Sequence, residues 1–128
     1  MKIPEGLDVY NNEDKCLLLD KAIYGLVQAA RQFHRRLTTA MEDDMGFDKC
    51  LADECLLRKK TKKGTVIVCV YIDDTLCVGD KEAINEFKKE ITLHFTIKEV
   101  GEMKEYVGCK AERRGKDNLI MFQDDLIN

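Results

Sequence analysis

The run Val66-Ile67-Val68-Cys69-Val70-Tyr71 limits what this chain can become more than any other feature. It is built almost entirely from β-branched and aromatic residues, the types that favour a pleated, half-buried strand. The run breaks at Ile72-Asp73-Asp74, and a shorter apolar run, Leu76-Cys77-Val78, follows. Two β-forming runs around a carboxylate pair predict a hairpin with Asp73 and Asp74 at its tip. Upstream, Cys55-Leu56-Leu57 predicts another strand, joined to Val66 by an exposed lysine-rich turn that ends in Gly64.

The remainder of the chain alternates with this strand region. From Lys21 to Asp44 the apolar residues Ile23, Leu26, Val27, Ala30, Phe33, Leu37, Ala40 and Met41 recur in steps of three and four. That spacing predicts a helix with one buried face. Gly25 weakens its early part and Gly46 is placed to end it. Asp80 stands where a cap belongs, before a second helix from about Lys81 to His94 whose inner face is Ile84, Phe87 and Ile91. A last β pair, about Tyr106 to Glu112 and Leu119 to Phe122, surrounds the turn Arg114-Gly115-Lys116-Asp117-Asn118. Helix, strands, helix, strands predicts an α+β fold: an antiparallel sheet with two helices packed on one face. A length of 128 residues accommodates one domain. Residues 1 to about 18, polar and carrying Pro4, Gly6 and Asn11-Asn12, read as an irregular lead-in.

Composition excludes some functions. The cysteines at 16, 50, 55, 69, 77 and 109 form no C-x-x-C pair, and the histidines are His34 and His94, so a structural zinc site is not expected. Nothing resembles a secretory signal, and no apolar run is long enough to span a bilayer. The expected setting is intracellular and reducing, cytoplasmic or nuclear, with no membrane partner. A net charge of -3 leaves no general basic excess, so any nucleic-acid surface must be local. The cluster Arg58, Lys59, Lys60, Lys62 and Lys63 reads first as a solvated turn and second as a contact to a phosphate backbone.

The tetrapeptide Tyr71-Ile72-Asp73-Asp74 is the richest in chemistry. Two adjacent carboxylates repel each other, and a divalent cation relieves that repulsion. Magnesium takes hard oxygen donors and keeps positions open for water and phosphate. A pair of such ions can activate an attacking hydroxyl and stabilise a leaving pyrophosphate. Taken alone, an Asp-Asp hairpin tip is most often only a turn.

Four blocks in order change that balance. They are Leu19-Asp20-Lys21-Ala22-Ile23-Tyr24-Gly25-Leu26-Val27-Gln28-Ala29-Ala30-Arg31, Val70-Tyr71-Ile72-Asp73-Asp74, the stretch from Phe95 through Lys98 to Tyr106-Val107-Gly108, and Met121-Phe122-Gln123. Together they resemble the reverse transcriptase of copia-type retrotransposons, nearly end to end. The resemblance implies a palm-like fold and RNA-directed DNA synthesis, with Mg2+ or Mn2+ as cofactor and an RNA or DNA template-primer and a dNTP as partners. It implies that Asp73 and Asp74 are the catalytic, metal-binding pair. Tyr71 would sit beside the primer end, and Gln28, Arg31 and Lys98 would approach the incoming nucleotide. Tyr106, Val107 and Gly108 would grip the primer strand. The chain departs from the family at Ala30, where Pro is usual, and at Phe33, where Trp is usual.

In that family a further catalytic aspartate precedes the Pro-Gly lead. On this reading residues 1–128 are a single truncated palm domain that holds magnesium weakly and is inactive alone. A homodimer through an exposed sheet is then expected. The alternative is a domesticated remnant that serves as a non-catalytic interaction or assembly module, so whether the chain is an enzyme stays open.

Overall fold

The structure, a computed structural model, describes residues 16–115 and 118–123. Most of the expected lead-in, and the turn residues Lys116 and Asp117, lie outside the described residues. Helix α1 (Ala29–Thr39) runs into one widened π-helical turn (Ala40–Asp44). Strands β1 (Asp48–Lys49), β2 (Leu56–Thr61), β3 (Gly64–Tyr71) and β4 (Asp74–Gly79) follow, then helix α2 (Lys81–His94) and strands β5 (Glu105–Tyr106), β6 (Cys109–Arg114) and β7 (Asn118–Phe122). The α+β expectation holds. The antiparallel strands divide into two sheets, ordered β1-β2-β3-β4 and β5-β6-β7.

The core follows directly from the period-2 pattern of β3. Val66, Val68 and Val70 point inward at 1%, 0% and 0% exposure, while Ile67 and Tyr71 face out. Leu57 of β2 joins the same inner face. Against it pack Leu37, Met41, Met45 and Phe47 from α1 and the segment after it, and Ala83, Phe87 and Ile91 from α2. Phe47 and Phe87 meet edge to face, 5.3 Å between ring centres. Ile84, expected on the inner face of α2, lies at the margin of this core.

Four local details differ from the sequence reading, one being that the strand expected from about Tyr106 to Glu112 is broken by a turn at Val107 and Gly108 into β5 and β6. Helix α1 starts at Ala29 rather than Lys21. Gly25 takes φ +94°, and Ile23, Tyr24 and Val27 are exposed, so no burial supports a helical turn there. Asp80 does occupy the cap position of α2, but its carboxylate accepts the Thr65 backbone N–H at 2.7 Å. It therefore ties the start of β3 to the end of β4. The lysine-rich turn is shorter than its composition suggests: β2 continues to Thr61. Lys59 reaches Glu90 at 2.6 Å and Lys63 reaches Glu86 at 3.1 Å, both on α2. Part of the basic cluster is thus neutralised by the neighbouring helix.

Candidate functional site

The Asp-Asp hairpin stands at one end of the well-packed sheet. Strand β3 carries its register to Tyr71, which pairs with Asp74 across a two-residue turn of Ile72 and Asp73. The two carboxylates are therefore not equivalent: Asp73 occupies the turn and Asp74 opens β4. Both are exposed. Ile72 takes φ +49°, a left-handed conformation that strongly disfavours a β-branched side chain.

A second hairpin faces this one. Tyr106 pairs with Cys109 around Val107 and Gly108, at φ +52° and +73°. Left-handed backbone at both central positions marks the tight turn whose twist suits a hairpin. Val107 is again β-branched, so both hairpin tips carry a residue that the backbone strains. Between them lies an open recess of about 500 Å³, lined by Tyr71, Asp74, Glu105, Tyr106, Val107 and Gly108.

The Tyr106 hydroxyl donates to the Cys69 carbonyl of β3 at 3.3 Å. Partial burial and then that contact push its phenol well above the usual tyrosine range. The recess thus combines aromatic faces, apolar tips and carboxylates. Asp73 and Asp74 supply hard oxygen donors of the kind a divalent cation takes. Among the described residues no group of three His, Cys, Asp or Glu side chains converges as a metal site. An ion held by this pair would leave most of its positions to water and phosphate.

The structure gathers Tyr71, Asp74, Tyr106, Val107 and Gly108 around the recess and leaves four other candidates away from its lining: Asp73, on the adjoining turn, and Gln28, Arg31 and Lys98. Gln28 holds the cap position of α1, with no side-chain cap hydrogen bond. Arg31 lies exposed in the first turn of α1, and Lys98 is exposed between α2 and β5. Glu105 lines the recess but escaped the sequence reading. Its one signal was its place directly before Tyr106.

Comparison with known proteins gives consistent results. The profile described as "Reverse transcriptase (RNA-dependent DNA polymerase)" matches residues 1–127. The chain is 31% identical over 99% of its length to a retrovirus-related Pol polyprotein from transposon TNT 1-94 of Nicotiana tabacum, covering 10% of that protein. It is 29% identical over 88% of its length to the Pol polyprotein from transposon RE2 of Arabidopsis thaliana, covering 8% of it. It is 23% identical over 99% of its length to a transposon Ty5-1 protein of Saccharomyces cerevisiae, covering 41% of that relative. The chain therefore spans about a tenth or less of the two plant relatives and about two fifths of the yeast one. No solved structure matches it significantly. Among the described residues no helix is long and apolar enough to cross a membrane.

Proposed function

The chain belongs to the reverse transcriptase (RNA-dependent DNA polymerase) family, of the copia-type retrotransposon kind, and from that premise we propose that residues 1–128 belong to one palm domain whose recess receives a primer end for RNA-directed DNA synthesis. One observation carries this reading: the carboxylate-bearing hairpin and the Tyr106–Gly108 hairpin, distant in sequence, border the same recess.

The family uses divalent metal ions and binds nucleic-acid templates. In this chain Asp73 and Asp74 would hold Mg2+ or Mn2+. The ion, when bound, lowers the charge between an attacking hydroxyl and the nucleotide phosphates. The remaining roles belong to the protein. Tyr71 offers a ring on which a terminal sugar or base can rest. Val107 and Gly108 form the opposing wall and keep the primer strand from leaving the recess. Gln28, Arg31 and Lys98 approach the dNTP from outside it, Arg31 with a fork suited to phosphate oxygens.

The test is a chimera in which this chain replaces the corresponding segment of the tobacco relative. Primer extension on an RNA template, dependent on Mg2+ or Mn2+, is expected. Asp73→Asn or Asp74→Asn should lower it by at least about a hundredfold, the scale of losing a directly acting charge. Full activity in both variants would refute the assignment.

A second reading concerns assembly, and a specific observation favours it. Ile67 and Val78 form a directly paired, exposed apolar row on the outer face of the first sheet, and β4 is its edge strand. Such a face suits a second copy of the chain. A monomer by sedimentation at high concentration would defeat it. A dimer that dissociates on Val78→Lys would support it.

A further inference from the structure

We propose that Tyr106 is a positioning residue: its hydroxyl, held by the Cys69 carbonyl, latches the second sheet onto the first and sets the width of the recess between the two hairpins. The extensive strand contacts run within each sheet and not between them. Among the described residues, the buried core draws on α1 and the segment after it, the first sheet and α2, and on none of β5, β6 or β7. The second sheet is therefore not located by core packing. Tyr106 is where it reaches back, from the end of β5 to Cys69 near the end of β3, across thirty-seven residues of sequence. Tyr106 also lies close enough to Asp74 to feel its charge.

The position along the chain makes the latch effective. Tyr106 directly precedes the turn that carries Val107 and Gly108, so fixing its ring fixes that tip. Its acceptor, Cys69, lies two residues before Tyr71, so the latch is anchored next to the opposing tip. Both tips are strained at a β-branched residue, which restricts each turn to one arrangement while its strands stay paired. The Tyr106–Cys69 contact, placed beside both tips, thus sets how far apart they stand. This assigns the Tyr106 hydroxyl to the protein rather than to a bound strand, and leaves the ring face and the Val107–Gly108 backbone for the ligand.

The inference rests on the reading above only for what the recess holds, and the experiment keeps the two apart. In the intact chain, nuclear Overhauser contacts between Tyr71 and the Val107–Gly108 turn report the width directly. Tyr106→Phe should abolish them while keeping the contacts within each sheet, between Val68 and Cys77 and between Lys110 and Phe122. Cross-recess contacts unchanged in Tyr106→Phe would overturn the latch. The wild-type chain gives a second test that needs no folded variant. In mixed H2O and D2O the Tyr106 Cζ resonance should split, because a bonded hydroxyl exchanges slowly, and a single averaged line would also overturn it. Affinity for a primer–template duplex should fall about three- to tenfold in Tyr106→Phe, the scale of one lost hydrogen bond. If the contacts vanish in Tyr106→Phe while the chimera with the tobacco relative shows no primer extension, the latch stands and the polymerase reading falls.

Discussion

The two walls of the recess are built on different physical terms. The β3–β4 wall grows out of a sheet whose inner valines are at most 1% exposed and are pressed by both helices. The β5–β7 wall belongs to a sheet that contributes nothing to the core, and Leu119, Ile120 and Met121 of β7 are 46%, 39% and 56% exposed. The first wall inherits the global stability of the fold. The second lacks that support and is expected to open at a lower free energy. On the proposed reading, the metal-binding carboxylates stand on the stiff side and the primer contact on the soft side.

The largest expected effect breaks this comparison most sharply. Phe87→Ala removes a buried ring packed against Phe47, and should cost about 3–5 kcal/mol of global stability. Leu119→Ala, on the soft side, should cost less than about 0.5 kcal/mol. Urea unfolding of both variants checks the pair. Similar losses in the two would mean that the second sheet is part of the core after all.

A pH effect of intermediate size probes the stiff wall from inside. Cys77 pairs with Val68 and lies against the core, and burial pushes its thiol up to about 11, with Lys88 opposing. A pKa raised on folding means that the folded state favours the neutral thiol. The resulting stability is complete below about pH 9 and drains away as pH climbs toward about 11. Cys77→Ala should flatten this alkaline decline in thermal melts recorded between pH 8 and 11. An equally steep decline in the variant would remove Cys77 as its source.

How much of this was legible in the sequence depends on what kind of signal each part leaves. Strand β3 and helix α2 were plain, because alternating valines and the spacing of Phe87 and Ile91 record which face is buried. The start of α1 was not. Ile23 and Val27 keep helical spacing, yet periodicity counts apolar residues without knowing whether anything covers them. The Tyr71–Asp74 tip could be named from local residues, whereas the Tyr106–Gly108 turn came only from the family resemblance, because the local pattern read Tyr106 to Glu112 as one strand. Their shared recess could not, because it arises from one contact between segments far apart in the chain. Glu105 was hidden for the same reason: its meaning lies in where β5 ends up.

The smallest effect sharpens the comparison by acting on the soft wall alone. Val107 holds φ +52° next to Gly108 at +73°, a pair of angles for which Asn-Gly is the preferred sequence. Val107→Asn replaces a β-branched residue by one that tolerates left-handed backbone. The strain released is about 1–3 kcal/mol. Against it stands the loss of apolar contact by a side chain already 41% exposed, so the net gain should be near 1 kcal/mol. If the second sheet opens independently, that gain appears as a roughly fivefold slowing of amide hydrogen exchange in Cys109–Arg114. Exchange in Gly64–Tyr71, which needs global unfolding, should barely change. Equal slowing in both strands would show that the walls open together, and then the division between a stiff and a soft side fails.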